Sequence, residues 1–288
     1  MLPSQPKEFY KHYLDNYFKI KALTLSSYWK NKDAYVGQFE GNELTKDEII
    51  ASLKLEIRGV FFQSIETLFE LLFALENLDD ENIWERLANS DYNKNYERIK
   101  LLAKGDDAFL NKNHIFPSVS EDKEVGITFL QYVFFFYYSP TIEKTELEAT
   151  LKFIREFLGI TAKEFSDRDD YNAYKHGLRL FPTITGLHLS NPLTSMQINF
   201  PDSYAILKKK NKYTHHIKSF DIDRDIQMIY LCSELITNII TARKKYYFPT
   251  VQSADLYVYH QHDIDKITRP NLETSSVKFS MTPIKIEE

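Results

Sequence analysis

The chain has 288 residues, enough for one large domain or two smaller ones. Hydrophobic residues make up 43% and charged residues 27%, a globular composition that excludes disorder over most of the length. A net charge of −5 and a single cysteine, Cys232, exclude a globally basic nucleic-acid binder, an internal disulfide and a cysteine-based zinc knuckle.

The 21 Phe and 19 Tyr favour thick helical packing, in which buried phenols need hydrogen-bond partners. Residues 1–45 read as an N-terminal helical extension, with aromatic and aliphatic residues at helical spacings between 7 and 36. Its charged, aromatic start has no apolar core segment, so no secretory leader is expected. Thr45 followed by Glu48 is a capping box that opens a helix from about Lys46 to Leu75. Its inner part, VFFQSIETLFELLFAL, is apolar on most sides, so this helix is expected at the centre of a bundle. Gln63, Glu66 and Glu70 form a polar stripe along it. Desolvated acids there would serve as acid or base; the commoner role is hydrogen bonding across the bundle.

A further helix is predicted over 81–104, with Ile83, Leu87, Ile99, Leu101 and Leu102 facing inward. A loop follows from Gly105, then a buried segment over 125–138 that Pro140 ends. Its longest apolar run, ITFLQYVFFFYY, is too short for a hydrocarbon core of about 30 Å, so no membrane association is expected. The expected location is therefore cytoplasmic. Residues 143–158 form an amphipathic helix closed by Gly159, and Thr161 with Glu164 makes a second capping box. Ser166 then starts the turn into RDDYNAYKHGLRLF, residues 168–181.

Beyond Pro182 the alternation becomes strand-like, and SYAILKKKNKYTHHIKSF reads as a hairpin around a polar turn, placing a β insertion near 183–221. A long apolar helix returns from Asp223 to about Tyr246, with basic residues in its final turn. Residues 247–288 read as an extended tail. The predicted fold class is mainly α: a helical bundle over 46–246 with a small β-hairpin insertion.

No glycine-rich phosphate cradle and no nucleophile elbow occur, so ordinary dinucleotide, P-loop and serine-hydrolase chemistry is not expected. There is no pair of Glu-x-x-His motifs for a di-iron bundle. His260, His262 and Asp263 in the tail could share a strand face, but an exposed polar tail explains them as well. No metal or cofactor is expected. Two basic runs are interleaved with tyrosines: Lys208, Lys209 and Lys210, and Arg243, Lys244 and Lys245. Such mixtures hold phosphate backbones and stack bases, making RNA a candidate partner. A solvated hairpin turn and a helix C-terminus account for the same residues without a ligand.

The stretch 168–181 is the one that reads most like a site, with Asn172, Lys175 and His176 crowded against Gly177. On a helix, Asn172 and His176 share a face, with Arg168 beyond them. Gly177 suits the left-handed residue that ends a helix, and His176 would then interact with the helix C-terminus. A long apolar helix followed by a helix carrying Asn-x-x-x-His resembles the HEPN superfamily of helical bundles, over about residues 46–246. The resemblance implies an Arg-x(4–6)-His motif and, in active members, metal-free ribonuclease action in toxin–antitoxin or phage-defence systems. Asn172 and His176 match its Asn and His, while Lys175-His176-Gly177 resembles the ending of non-catalytic relatives.

The arginine departs from that pattern. Tyr171 stands immediately before Asn172, where the motif places Arg, and Arg168 lies eight positions before His176. Eight residues of helix separate them by about 12 Å along the axis, too far to hold one phosphate together. Arg179 could substitute if the chain turned at Gly177. The expectation is therefore a HEPN-like protein, non-catalytic, binding a protein or RNA partner in stress or phage defence. The alternatives are a metal-independent ribonuclease using His176, Asn172 and Arg168 or Arg179, and a structural protein that homodimerises through its aromatic surface.

Overall fold

The computed structural model describes residues 5–78, 80, 82–117, 124–136, 144–167, 169–175, 180–182, 186–190, 195–199, 203–209, 213–219, 221–248, 250, 255–260 and 277–281. The chain is mainly α-helical with a β insertion. It divides into two compact units interleaved along the sequence: 1–23, 62–167 and 227–269 in the first, and 24–61, 168–226 and 270–288 in the second. Helices α2 (Tyr17–Lys30), α4 (Lys46–Ala74) and α10 (Ile222–Tyr247) each supply residues to both units.

In the first unit, α1 (Gln5–His12) packs against α5 (Ile83–Ala88), and α6 (Tyr92–Ala103) packs along α8 (Lys144–Ser166). The single helix expected over 81–104 is two, because Asp91 caps α6 by accepting hydrogen bonds from the backbone N–H groups of Asn93 and Lys94. The loop expected after Gly105 instead holds a 3-10 turn (Ala108–Asn111) and an antiparallel hairpin, β1 (Asn113–Pro117) with β2 (Glu124–Thr128). Thr128 then caps α7 (Phe129–Phe135), every residue of which except Gln131 is buried.

Helix α8 does not stop at Gly159. Its buried series Phe153, Ile154, Phe157, Leu158, Thr161, Ala162 and Phe165 continues the helical period through the glycine, and that packing outweighs the glycine's roughly 1 kcal/mol propensity cost. Thr161 is consequently a mid-helix residue whose hydroxyl donates to the Phe157 and Leu158 carbonyls, and not a cap.

In the second unit, the capping box at the start of α4 forms as expected: Thr45 donates its N–H and hydroxyl to Glu48, and the Glu48 N–H returns to the Thr45 hydroxyl. Arg58 Nη1 donates to the buried Asp225 at 2.7 Å. The β insertion is larger than one hairpin. The expected pair, β6 (Ser203–Lys209) and β7 (Tyr213–Ser219), is flanked by β3 (Leu180–Pro182) and β8 (Val277–Met281) in an antiparallel sheet of order β3-β6-β7-β8. A ribbon of β4 (Gly186–Ser190) and β5 (Ser195–Asn199) completes the described strands. Residues 277–281 of the expected extended tail therefore form a paired strand.

Candidate functional site

The described half of the 168–181 stretch is α9 (Asp169–Lys175), which packs on β3 and β6. Tyr171 and Ala173 are buried, Asn172 is half-buried, and the Lys175 ammonium lies 5.4 Å from the centre of the Tyr171 ring. Tyr174 donates its hydroxyl to Glu56 at 2.9 Å. A Cβ on Gly59 would stand 2.7 Å from two carbons of the Tyr174 ring, so the glycine in the middle of α4 is what admits that ring. Of the four candidate catalytic residues, only Asn172 is described; Arg168, His176 and Arg179 lie outside the described residues. Tyr171, standing where the four-spaced arginine would be, belongs to the core of its unit.

The two basic runs have different fates. Lys208 and Lys209 end β6, in register with Thr214 and Tyr213, and Lys210 is outside the described residues. Arg243, expected on a phosphate-binding surface, is instead completely buried in the first unit. Its Nε donates to both Asp80 oxygens at 3.0 and 3.2 Å, and its Nη1 and Nη2 donate to the carbonyls of Val133, Ile239 and Tyr132. Burial opposes its charge, but Asp80, together with Tyr10 and Tyr132, holds its pKa above the usual arginine value. Lys244 is tied to Asp15 at 3.0 Å, and Lys245 is half-buried. This run is occupied by the fold. Reading α10 by its apolar period would have found Arg243: it follows Ile236 and Ile239 on the inward face, one turn after Ile239.

Glu70 of the predicted polar stripe meets the α5–α6 corner. Ser90 donates to one carboxylate oxygen, Asn95 Nδ2 donates to the other at 3.0 Å, and the same amide reaches the Ser90 hydroxyl at 2.9 Å. This network lies on a groove of about 470 Å³ that also exposes Arg86, Asn89 and Arg98. Arg98 is paired with Glu76 at 2.7 Å and stacks over Phe73 at 3.9 Å, while Arg86 Nη1 donates to the Ala74 carbonyl. The cations here satisfy neighbours in the fold, and Glu70 bonds across the helices as in the commoner of its two expected roles. Among the described residues, no group of three or more His, Cys, Asp or Glu is arranged to hold a metal, and no helix is long and apolar enough to cross a membrane. Cys232 is fully buried, and burial pushes its thiol up to about 12, which leaves it unreactive at neutral pH.

The unspent surface is apolar. Helix α2 buries Phe18 and Ala22 on one face, yet exposes Tyr17, Ile20 and Leu23 on the opposite one. Leu14, 74% exposed, and Trp84, 48% exposed, extend this face. A groove of about 440 Å³ lined by Phe9, Tyr13, Leu14, Tyr17 and Trp84 runs beside it. Sequence periodicity assigned this region to helices but missed the second apolar face. Neither a family model, nor a curated protein, nor a solved structure matches this chain.

Proposed function

We propose that this chain is a non-catalytic, HEPN-like helical-bundle protein of the cell interior that works by binding, and that its α2 face receives a second copy of itself. The carrying observation is the exposed apolar face of Leu14, Tyr17, Ile20, Leu23 and Trp84. Five such side chains offer on the order of 500 Å² of apolar surface, at the upper end of what a monomer usually shows and most of the ~800 Å² each partner contributes to a standard interface. Tyr17, Ile20 and Leu23 on α2, with Leu14 just before it, offer one patch that can meet its own copy across a two-fold axis. A role in stress or phage defence is what the HEPN resemblance adds.

Two further observations weigh against the catalytic and the RNA-binding alternatives in turn. On α9, Tyr171 lies in the core and Tyr174 is anchored by Glu56. Of the two basic runs, the one on α10 is absorbed by Asp80 and Asp15.

Sedimentation velocity over a hundredfold range of concentration tests the reading. The chain is expected to self-associate, and Ile20→Glu to hold it monomeric without changing its helical circular dichroism. A wild-type chain that stays monomeric throughout would sink the proposal. Metal-free RNA cleavage that disappears on His176→Ala would replace it with the ribonuclease reading. Salt-sensitive RNA affinity lost on neutralising Lys208, Lys209 and Lys210 would make RNA the partner.

A further inference from the structure

Residues 255–260, DLYVYH, lie against α8 and α10 in the first unit, and their polar partners are unusual. Asn238 Nδ2 donates to the Tyr257 carbonyl at 2.9 Å, and the Tyr257 N–H donates back to Asn238 Oδ1 at 2.7 Å. Two residues on, the Thr150 hydroxyl donates to the Tyr259 carbonyl at 3.1 Å and accepts from the Tyr259 N–H at 3.0 Å. In an antiparallel ladder, one residue exchanges both its hydrogen bonds with a single partner, and the next such pair lies two residues along. Here two buried side chains on helices stand in for the two rungs.

Such rungs read the main chain and ignore sequence; the side chains between them supply selectivity. The Tyr259 ring stacks on Phe153, 4.2 Å between centres and 7° from parallel, and its hydroxyl donates to Glu234 at 3.0 Å. Tyr257 places its hydroxyl 3.0 Å from the Lys19 ammonium. Val258, between them, points outward and is 36% exposed. The arrangement has the parts of a peptide-recognition groove: backbone rungs, a deep aromatic pocket with a polar floor, and a shallower pocket two residues away.

We infer that the cleft formed by Thr150, Phe153, Glu234 and Asn238 is a binding groove for an extended peptide with tyrosines two residues apart, filled in the free protein by the chain's own Tyr257–Tyr259. The occupant is held by four main-chain hydrogen bonds to two helical side chains, by the Tyr259–Phe153 stack and by the Glu234 bond. An extended Tyr-x-Tyr peptide of another protein presents the same groups and competes for the same rungs. The internal segment belongs to the same chain and competes at a high effective concentration, so weakening its contacts opens the groove to the outside. This inference is independent of the α2 face.

The test uses the full chain and a fluorescent peptide of sequence DLYVYH. Wild type binds the peptide weakly, because its own segment competes. Tyr259→Ala in the chain raises the affinity at least tenfold; adding Asn238→Ala lowers it at least tenfold again, and so does replacing the peptide's second tyrosine with alanine. A folded Tyr259→Ala chain with no gain in affinity, or binding indifferent to Asn238→Ala, overturns the proposal. Amide exchange of the unaltered protein decides the matter should the variant not fold. The Tyr257 and Tyr259 amides are expected to exchange at least ten times faster than those of Ile236 and Ile239 in α10, and equal rates would mean a segment that never leaves.

Discussion

Helices α4 and α2 are both apolar over most of their circumference, yet they are used differently. In α4, Val60, Phe61, Ile65, Leu68, Phe69, Leu71 and Leu72 are all buried, so nearly every apolar side chain is consumed by packing. In α2, Phe18 and Ala22 are buried while Tyr17, Ile20 and Leu23 lie in solvent. A helix that is apolar all round belongs in an interior. The difference teaches where this protein has surplus: α4 spends its apolar side chains on packing, and α2 leaves Tyr17, Ile20 and Leu23 exposed. Charge divides in the same way, for the one arginine of the α10 basic run is spent inside on Asp80.

The comparison can be broken from the α4 side with the largest effects. Phe69→Ala, at a side chain 1% exposed, is expected to cost about 3–5 kcal/mol in guanidinium unfolding. Asp80→Ala should cost about 3–5 kcal/mol as well, because it leaves the Arg243 charge buried without its carboxylate. A loss under about 1 kcal/mol at either position would mean that the first unit is not packed around these groups.

Gly59→Ala is expected to cost about 1 kcal/mol net, since the clash with the Tyr174 ring exceeds the gain in helix propensity. In a Tyr174→Ala background the same change should become stabilising, and a double-mutant cycle measures the reversal. High pH probes the tyrosines. Burial pushes Tyr174 up to about 12, helped by its bond to Glu56, and burial pushes Tyr13 up to about 12, helped by Asp15. A folded-state pKa above the unfolded value of 10 gives stability that is complete below pH 10 and is lost as the pH rises to 12. Unfolding free energies measured at intervals through that range should fall, and Tyr13→Phe with Tyr174→Phe should flatten the fall. The smallest effect on stability belongs to α2: Ile20→Ala should change unfolding by no more than about 0.5 kcal/mol in the monomer.

Much of the fold was legible where local chemistry decides it. The Thr45–Glu48 box and the apolar run behind it placed α4 to within one residue of its end, and the KKNK turn marked the β6–β7 hairpin. Elements fixed by distant contacts were not. Gly159 looked like a helix end because its neighbours in space were invisible, and the β1–β2 hairpin is built from runs too short to show a period. The basic run at Arg243 read as a surface because Asp80 lies 163 positions away in sequence. The sequence singled out Glu70, whose cross-helix bonds the structure shows, and passed over Asn238 and Thr150, which look like ordinary helical residues until the main chain of 257–259 pairs with them.

The central claim is that the α2 face meets its own copy, and a single introduced cysteine tests it most directly. Cys232 is buried and unreactive, so Ile20→Cys supplies the chain's one accessible thiol, near the middle of the exposed row. Mild oxidation at low micromolar concentration should convert the folded variant into a disulfide-linked dimer. Lys104→Cys, at an exposed site away from this face in the sequence, should remain monomeric under the same conditions. Equal cross-linking at both positions, or none at position 20, would contradict the account.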